Sequence, residues 1–93
     1  MVVGVIDWEL EVIGCQSLKE KRSVVRSLRE RLRNRFHLSV AETGHNDLWQ
    51  RARLAACIVS NDGRQVESVL DNADRFVLSD PRVRIIHVVR RAC

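Results

Sequence analysis

Apolar positions near the start of the chain recur with a period of two: Val2, Ile6, Trp8, Leu10 and Val12 share one parity, while Asp7, Glu9 and Glu11 share the other. Such alternation predicts a strand over Val2 to Ile13 with one buried side. Gly14 breaks it, and Ser17 followed three residues later by Glu20 has the form of a capping box, so a helix opens there. Its apolar positions Leu18, Val25, Leu28, Leu32 and Phe36 return at helical spacing and carry it to about Arg35. Leu38 to Glu42 alternates again, and Arg53 to Ser60 is a run of β-branched and small apolar residues. The two read as antiparallel strands joined by a polar loop from Thr43 to Arg51. Asn61, Asp62 and Gly63 supply stop and cap chemistry before Val66, Val69, Leu70, Ala73, Phe76 and Val77, a second amphipathic helix that the Asp80 and Pro81 pair ends. The last run, Val83 to Val89, is apolar on both faces, as expected of a strand inside a sheet, and Arg90 to Cys93 reads as a tail.

The order strand, helix, strand, strand, helix, strand predicts an α+β, ferredoxin-like βαββαβ fold. Right-handed crossovers then place both helices on one face of a four-stranded antiparallel sheet, in a single domain spanning residues 1–93. A chain of 93 residues with 45% hydrophobic content suffices for one two-layer core. No apolar run approaches the roughly 18 residues of a membrane span, and the first residues lack a basic leader, which predicts a soluble, cytoplasmic protein with no membrane partner. Cys15, Cys57 and Cys93 are odd in number and far apart, against a disulfide framework.

Charge changes the picture in one place. Leu18 to Phe36 holds Lys19, Lys21, Arg22, Arg26, Arg29, Arg31, Arg33 and Arg35 against only Glu20 and Glu30, a net +6, whereas the whole chain sums to +4. The remainder is therefore slightly acidic, and any partner that reads charge meets this helix. Stepping 100° per residue puts Lys19, Arg22, Arg26, Arg29 and Arg33 within an arc of roughly 80°, beside the apolar arc. Glu20 and Glu30 fall outside it. A guanidinium stripe of this kind suits bidentate phosphate contacts along about 25 Å of nucleic-acid backbone. It equally describes a solvated helix face, since Arg is a good helix former.

The opposite face of the sheet differs from that of RNA binders that stack bases on aromatics of the two central strands. Strand one presents Asp7, Glu9 and Glu11 there, and strand three has no aromatic. Val3, Val5, Cys57, Val59, Ile86 and Val88 fall on the same face, a patch that favours a homodimer or another protein partner. Trp49, flanked by Arg51 and Arg53, is either a base-stacking platform or part of the core; Leu48 and Trp49 begin the apolar run into strand three, which favours burial.

Catalytic signals are weak. The Gly14 to Ser17 loop resembles that of small acylphosphatases only in its place before a helix, and it holds no arginine. Cys15 reads as a small loop residue. His37, His45 and His87 sit on different elements without metal-ligand spacing, and His45 near Asp47 has no nucleophile beside it in sequence. The chain thus carries no assignable catalytic residue, metal site, cofactor motif or small-molecule substrate site.

At QSLKEKR (Gln16 to Arg22), RNRFHLSVAE (Arg33 to Glu42), DLWQRA (Asp47 to Ala52) and VSND (Val59 to Asp62), nearly the whole chain resembles the YlxP-like family of small bacterial proteins of unknown function. The resemblance implies a ferredoxin-like fold, a cytoplasmic location and genes near those of transcription termination and translation initiation factors and a ribosome-binding factor. It supplies no activity. The family pattern falls on Ser17, Lys19, Glu20, Lys21, Arg22, Arg33, Arg35, Trp49, Gln50 and Arg51; the chain departs from it in the tail RRAC and around Thr43 to Asn46. The leading expectation is a noncatalytic RNA- or ribosome-associated protein, in ribosome assembly or translation. Its nucleic-acid contacts are Lys19, Arg22, Arg26, Arg29, Arg33, Trp49 and Arg51. The rival is a protein-interaction module that dimerises through its open sheet face, with no nucleic-acid role.

Overall fold

A computed structural model describes residues Met1–Cys93. Six elements follow one another: β1 (Val2–Val12), α1 (Leu18–Phe36), β2 (Ser39–Gly44), β3 (Arg51–Ser60), α2 (Gly63–Ser79) and β4 (Val83–Ala92). The strands form one sheet in the order β2-β3-β1-β4 with every neighbouring pair antiparallel, and the helices pack on one face of it, so the fold is ferredoxin-like.

The period-two pattern of β1 becomes burial directly, with Ile6, Trp8, Leu10 and Val12 buried and the residues between them half-buried. Ala52, Leu54 and Ala56 of β3 join them, and Val25, Leu28 and Leu32 of α1 with Val66, Leu70, Ala73 and Val77 of α2 close the core from above. Trp8 is its largest member, and its indole Nε1 donates to Asp74 Oδ1 of α2 at 2.9 Å, which satisfies the ring's one polar atom. Gly4 shares the buried parity because α2 crosses there: a Cβ on it would lie 2.3 Å from Val66 Cγ1. At Gly14 the chain leaves β1 with φ +68°, a conformation that glycine adopts without penalty.

Both helices begin as expected. Ser17 Oγ accepts from the Glu20 amide at 3.1 Å while Glu20 reaches back to the Gln16 amide at 3.0 Å, and Asp62 accepts from the Arg64 amide at 2.9 Å. Three expectations are corrected. Arg90 to Ala92 are not a tail: β4 pairs along nearly all of β1, from Val12↔Val83 to Gly4↔Ala92, and Val3 and Cys93 exchange backbone hydrogen bonds of 2.9 and 2.8 Å. Nor is β4 inside the sheet; it is an edge strand beside β1. Its two-sided apolar character has another cause, a register shift opposite Glu9 and Leu10 that leaves Ile86 as an extra residue. Beyond this bulge the parity inverts, so Val88 lies opposite Trp8 on the helix side and Val89, opposite Asp7, takes its expected place on the open face.

No helix is long and apolar enough to cross a membrane. All three cysteines are free, and Cys15 is buried with its thiol donating to Ser17 O at 3.1 Å.

Candidate functional site

The capping box at Ser17 sets the phase of α1, and burial of Val25, Leu28 and Leu32 fixes its rotation on the sheet. That rotation leaves Lys19, Arg22, Arg26 and Arg33 exposed and Arg29 half-buried, with Arg29 Nε–H enclosed and without an acceptor. Lys19, Arg22 and Arg26 surround one shallow depression together with Ser23.

The disposition of counter-charges is more telling than that of the cations. Six Lys and Arg ion pairs occur in the molecule, and their cations are Lys21, Arg51, Arg53, Arg82, Arg84 and Arg90. Of the sixteen Lys and Arg residues ten are therefore unpaired, and seven of the ten belong to α1, including all five of the stripe. Glu20 and Glu30 join no ion pair either.

On the open face of the sheet the reverse holds. Arg53 Nη2 lies 3.6 Å from Asp7, Arg51 Nη1 4.0 Å from Glu9, and Arg84 Nε donates to Glu11 at 2.8 Å. The three carboxylates that β1 presents on this face thus each lie beside a cationic cross-strand partner. His45 completes this set: its ring Nε2 is 2.9 Å from Glu9 Oε2, not engaged with Asp47. The hydrogen bond from His45, helped by the Arg51 and Arg53 charges, holds the Glu9 carboxyl below its ordinary value of 4.5 against the opposing effect of desolvation. Toward the other end of the same face, Val3, Val5, Cys57, Val59 and Val89 remain, with Val59 60% exposed.

Lys21 is the residue that charge counting misplaces. It is one of the eight basic residues of α1 yet only 1% exposed. Its ammonium donates to the carbonyl of His45 and lies 3.9 Å from Glu42 Oε2. The signal was present in the sequence, because Lys21 stands four and seven residues before Val25 and Leu28, on the apolar arc. His45, at φ 61°, turns its carbonyl to Lys21 and its ring to Glu9, fastening the β2–β3 loop to both α1 and β1.

Trp49 closes that loop and is 47% exposed, which corrects the expectation of burial. It precedes β3, whose inward parity begins at Ala52, and the large aromatic place in the core is filled by Trp8. The structure does not gather all seven expected contacts on one surface. Lys19, Arg22, Arg26, Arg29 and Arg33 share a flank of α1, Arg51 lies on the opposite face of the sheet beside Glu9, and Trp49 stands at the loop end between them.

Comparison with known proteins adds the family and the fold. An uncharacterized protein of Bacillus subtilis, YlxP, is 33% identical over 82 residues, 88% of this chain and 89% of the relative. Among solved structures, a structural-genomics protein named YJCS aligns over 96% of both chains with a TM-score of 0.62 and 11% identity. The structured domain of Drosophila melanogaster Boca aligns over 98% of this chain and 96% of that one, with a TM-score of 0.56 and 16% identity. A dimeric ferredoxin-like protein from an uncultured marine organism aligns over 98% and 92%, with a TM-score of 0.50 and 9% identity. At such identities the three share the fold alone. The model of the family described as "Protein of unknown function (DUF503)" matches residues 3–90, and the chain belongs to that family.

Proposed function

We propose that this protein is a noncatalytic, cytoplasmic RNA- or ribosome-associated protein, acting in ribosome assembly or translation, that contacts backbone phosphates through α1. The supporting observation is the unpaired state of Lys19, Arg22, Arg26, Arg29 and Arg33 side by side on one flank, whereas the arginines of the sheet strands β3 and β4 other than Arg91 have carboxylate partners. A row of guanidinium groups with no internal counter-ion releases condensed cations from a polyanion when it docks, and this drives sequence-independent binding. With five contacts, affinity for RNA falls roughly 100- to 500-fold between 50 and 200 mM salt. Arg22→Glu with Arg26→Glu leaves three contacts, and the fall shrinks to roughly 20- to 40-fold. The measurement is RNA binding and co-sedimentation with ribosomal subunits across that salt range. Equal salt dependence in both proteins rejects α1 as the contact.

A second reading concerns the sheet. The exposed Val59 and the apolar end of the open face around it support a homodimer, an assembly also stated for the marine structural neighbour. Sedimentation velocity at micromolar concentration decides it: Val59→Lys shifts a dimer to monomer, and a wild-type protein already monomeric rejects the reading.

A further inference from the structure

Across the buried arc of α1 from the stripe lies a second basic feature. Three adjoining depressions between α1 and α2 share Phe76 and form one groove, whose lining includes Arg31, Arg35, Phe36, Arg75 and Phe76, with the Asp80–Arg82 pair at one end. Phe36 and Phe76 meet edge to face with ring centroids 5.7 Å apart. The Arg35 guanidinium carbon lies 5.7 Å from one centroid and 5.5 Å from the other, so the guanidinium is held against an aromatic pair.

None of Arg31, Arg35 and Arg75 is ion-paired. The carboxylates that feel Arg75 and Arg31, namely Asp71 and Asp80, are each engaged by a different arginine, Arg90 at 2.5 Å and Arg82 at 2.7 Å. The groove therefore combines a flat guanidinium surface, backed by an aromatic pair, with two further guanidinium groups that have no ion-pair partner. A carboxylate-rich peptide would use the charge and leave the flat surface idle, whereas a nucleotide uses both: its base stacks on arginine or aromatic planes and its phosphate takes guanidinium forks.

We propose that this groove seats one nucleotide of a single-stranded RNA, with Arg35 as the stacking plane and Arg31 and Arg75 as phosphate contacts. The assignment deepens the reading of α1 as an RNA-contacting helix and rests on it. The test uses octaadenylate carrying one 2-aminopurine, whose fluorescence is quenched on stacking, titrated into the full chain. Binding quenches the wild-type complex. Arg35→Ala with Arg75→Ala removes the quench and lowers affinity by at least roughly 5- to 100-fold, the loss of one stacked base with one phosphate contact besides. Arg35→Lys keeps the charge and the salt slope but loses the quench. Arg22→Gln with Arg26→Gln weakens binding yet retains the quench at saturation.

Binding without quenching, quenching that survives the Arg35 and Arg75 changes, or full competition by hexaglutamate at equal charge overturns the assignment. If the stripe variant binds as wild type while the groove variant does not, the stripe reading fails and the groove stands. If the oligonucleotide does not bind at all, both fail. Circular dichroism melting of each variant confirms that the exposed substitutions leave the fold intact.

Discussion

Gly4→Ala tests whether α2 lies against β1 as closely as described. A Cβ at Gly4 would stand 2.3 Å from Val66 Cγ1 and 3.1 Å from Leu70 Cδ1, over 1 Å inside ordinary contact for the first. Val66 is fully buried and β-branched, so on a helix it has one strongly preferred rotamer and no room to turn aside. Relief requires α2 to lift or Val66 to leave its rotamer, and overpacking of this kind costs about 1–3 kcal/mol. Relief of glycine's backbone entropy returns roughly 0.5–1 kcal/mol of that. A net loss of about 1–2 kcal/mol lowers Tm by some 5–15 °C in a domain of this size. The deciding assay is a double-mutant cycle by thermal melting. Val66→Ala alone leaves a cavity and costs about 1–3 kcal/mol, but Gly4→Ala added to it fills that space and is neutral or stabilising. A Tm drop under 2 °C for Gly4→Ala, or the same cost in both backgrounds, refutes the close approach.

Lys21→Met leaves the His45 carbonyl and Glu42 without their buried donor and lowers stability by about 1–3 kcal/mol; the loop carrying Trp49 loosens, read as faster amide exchange over residues 45–50. Arg29→Met removes an enclosed N–H that has no acceptor, so Tm holds or rises while RNA affinity falls; a lower Tm shows that the guanidinium stabilises the fold instead. Asp80 is held below its ordinary 3.8 by the Arg82 hydrogen bonds, so its stabilisation is complete above about pH 4 and disappears as pH falls through the lowered value. Melting curves of wild type and Asp80→Asn therefore differ at pH 7 and converge toward pH 3; curves that stay parallel contradict the pair's contribution.

The sequence shows most of this fold because its elements are set by local periodicity: odd and even positions of β1 separate cleanly, and both helices open at caps that the residues spell out. What it hides depends on pairing across strands. Nothing in VRIIHVVRRA marks Ile86 as an extra residue, since a bulge forms where β1 and β4 lose register and β-branched residues are at home on either face. The same dependence conceals that β4 is an edge strand and that Arg90 and Arg91 continue it. At the candidate site, counting charges along α1 found the stripe but treated Lys21 as one more cation, although its spacing from Val25 assigns it to the buried side. Trp49 misled for the opposite reason: an apolar residue next to a strand invites a core assignment, but the loop ends before the inward parity of β3 begins.

The two functional readings, RNA contact and self-association, need not compete, because the molecule separates the surfaces they require. Cross-strand pairs of Arg53 with Asp7, Arg51 with Glu9 and Arg84 with Glu11 make one end of the open sheet face nearly neutral. Val3, Val5, Cys57, Val59 and Val89 make the other end mostly apolar, with Arg91, opposite Val5, as a single unpaired cation at its edge. A polyanion gains little there, whereas a second protein surface does. The helix layer is the reverse, with seven unpaired cations on α1 and Arg75 facing them from α2. Because the sheet core stands between the layers, a charge placed at Val59 acts on assembly through contact and on RNA only through a field that salt screens within about 10 Å. Val59→Lys is thus expected to leave the RNA salt slope per protomer unchanged even where it alters the sedimentation coefficient. A slope that changes with the oligomeric state would place the RNA contact across two protomers and remove α1 of a single chain as the sufficient surface.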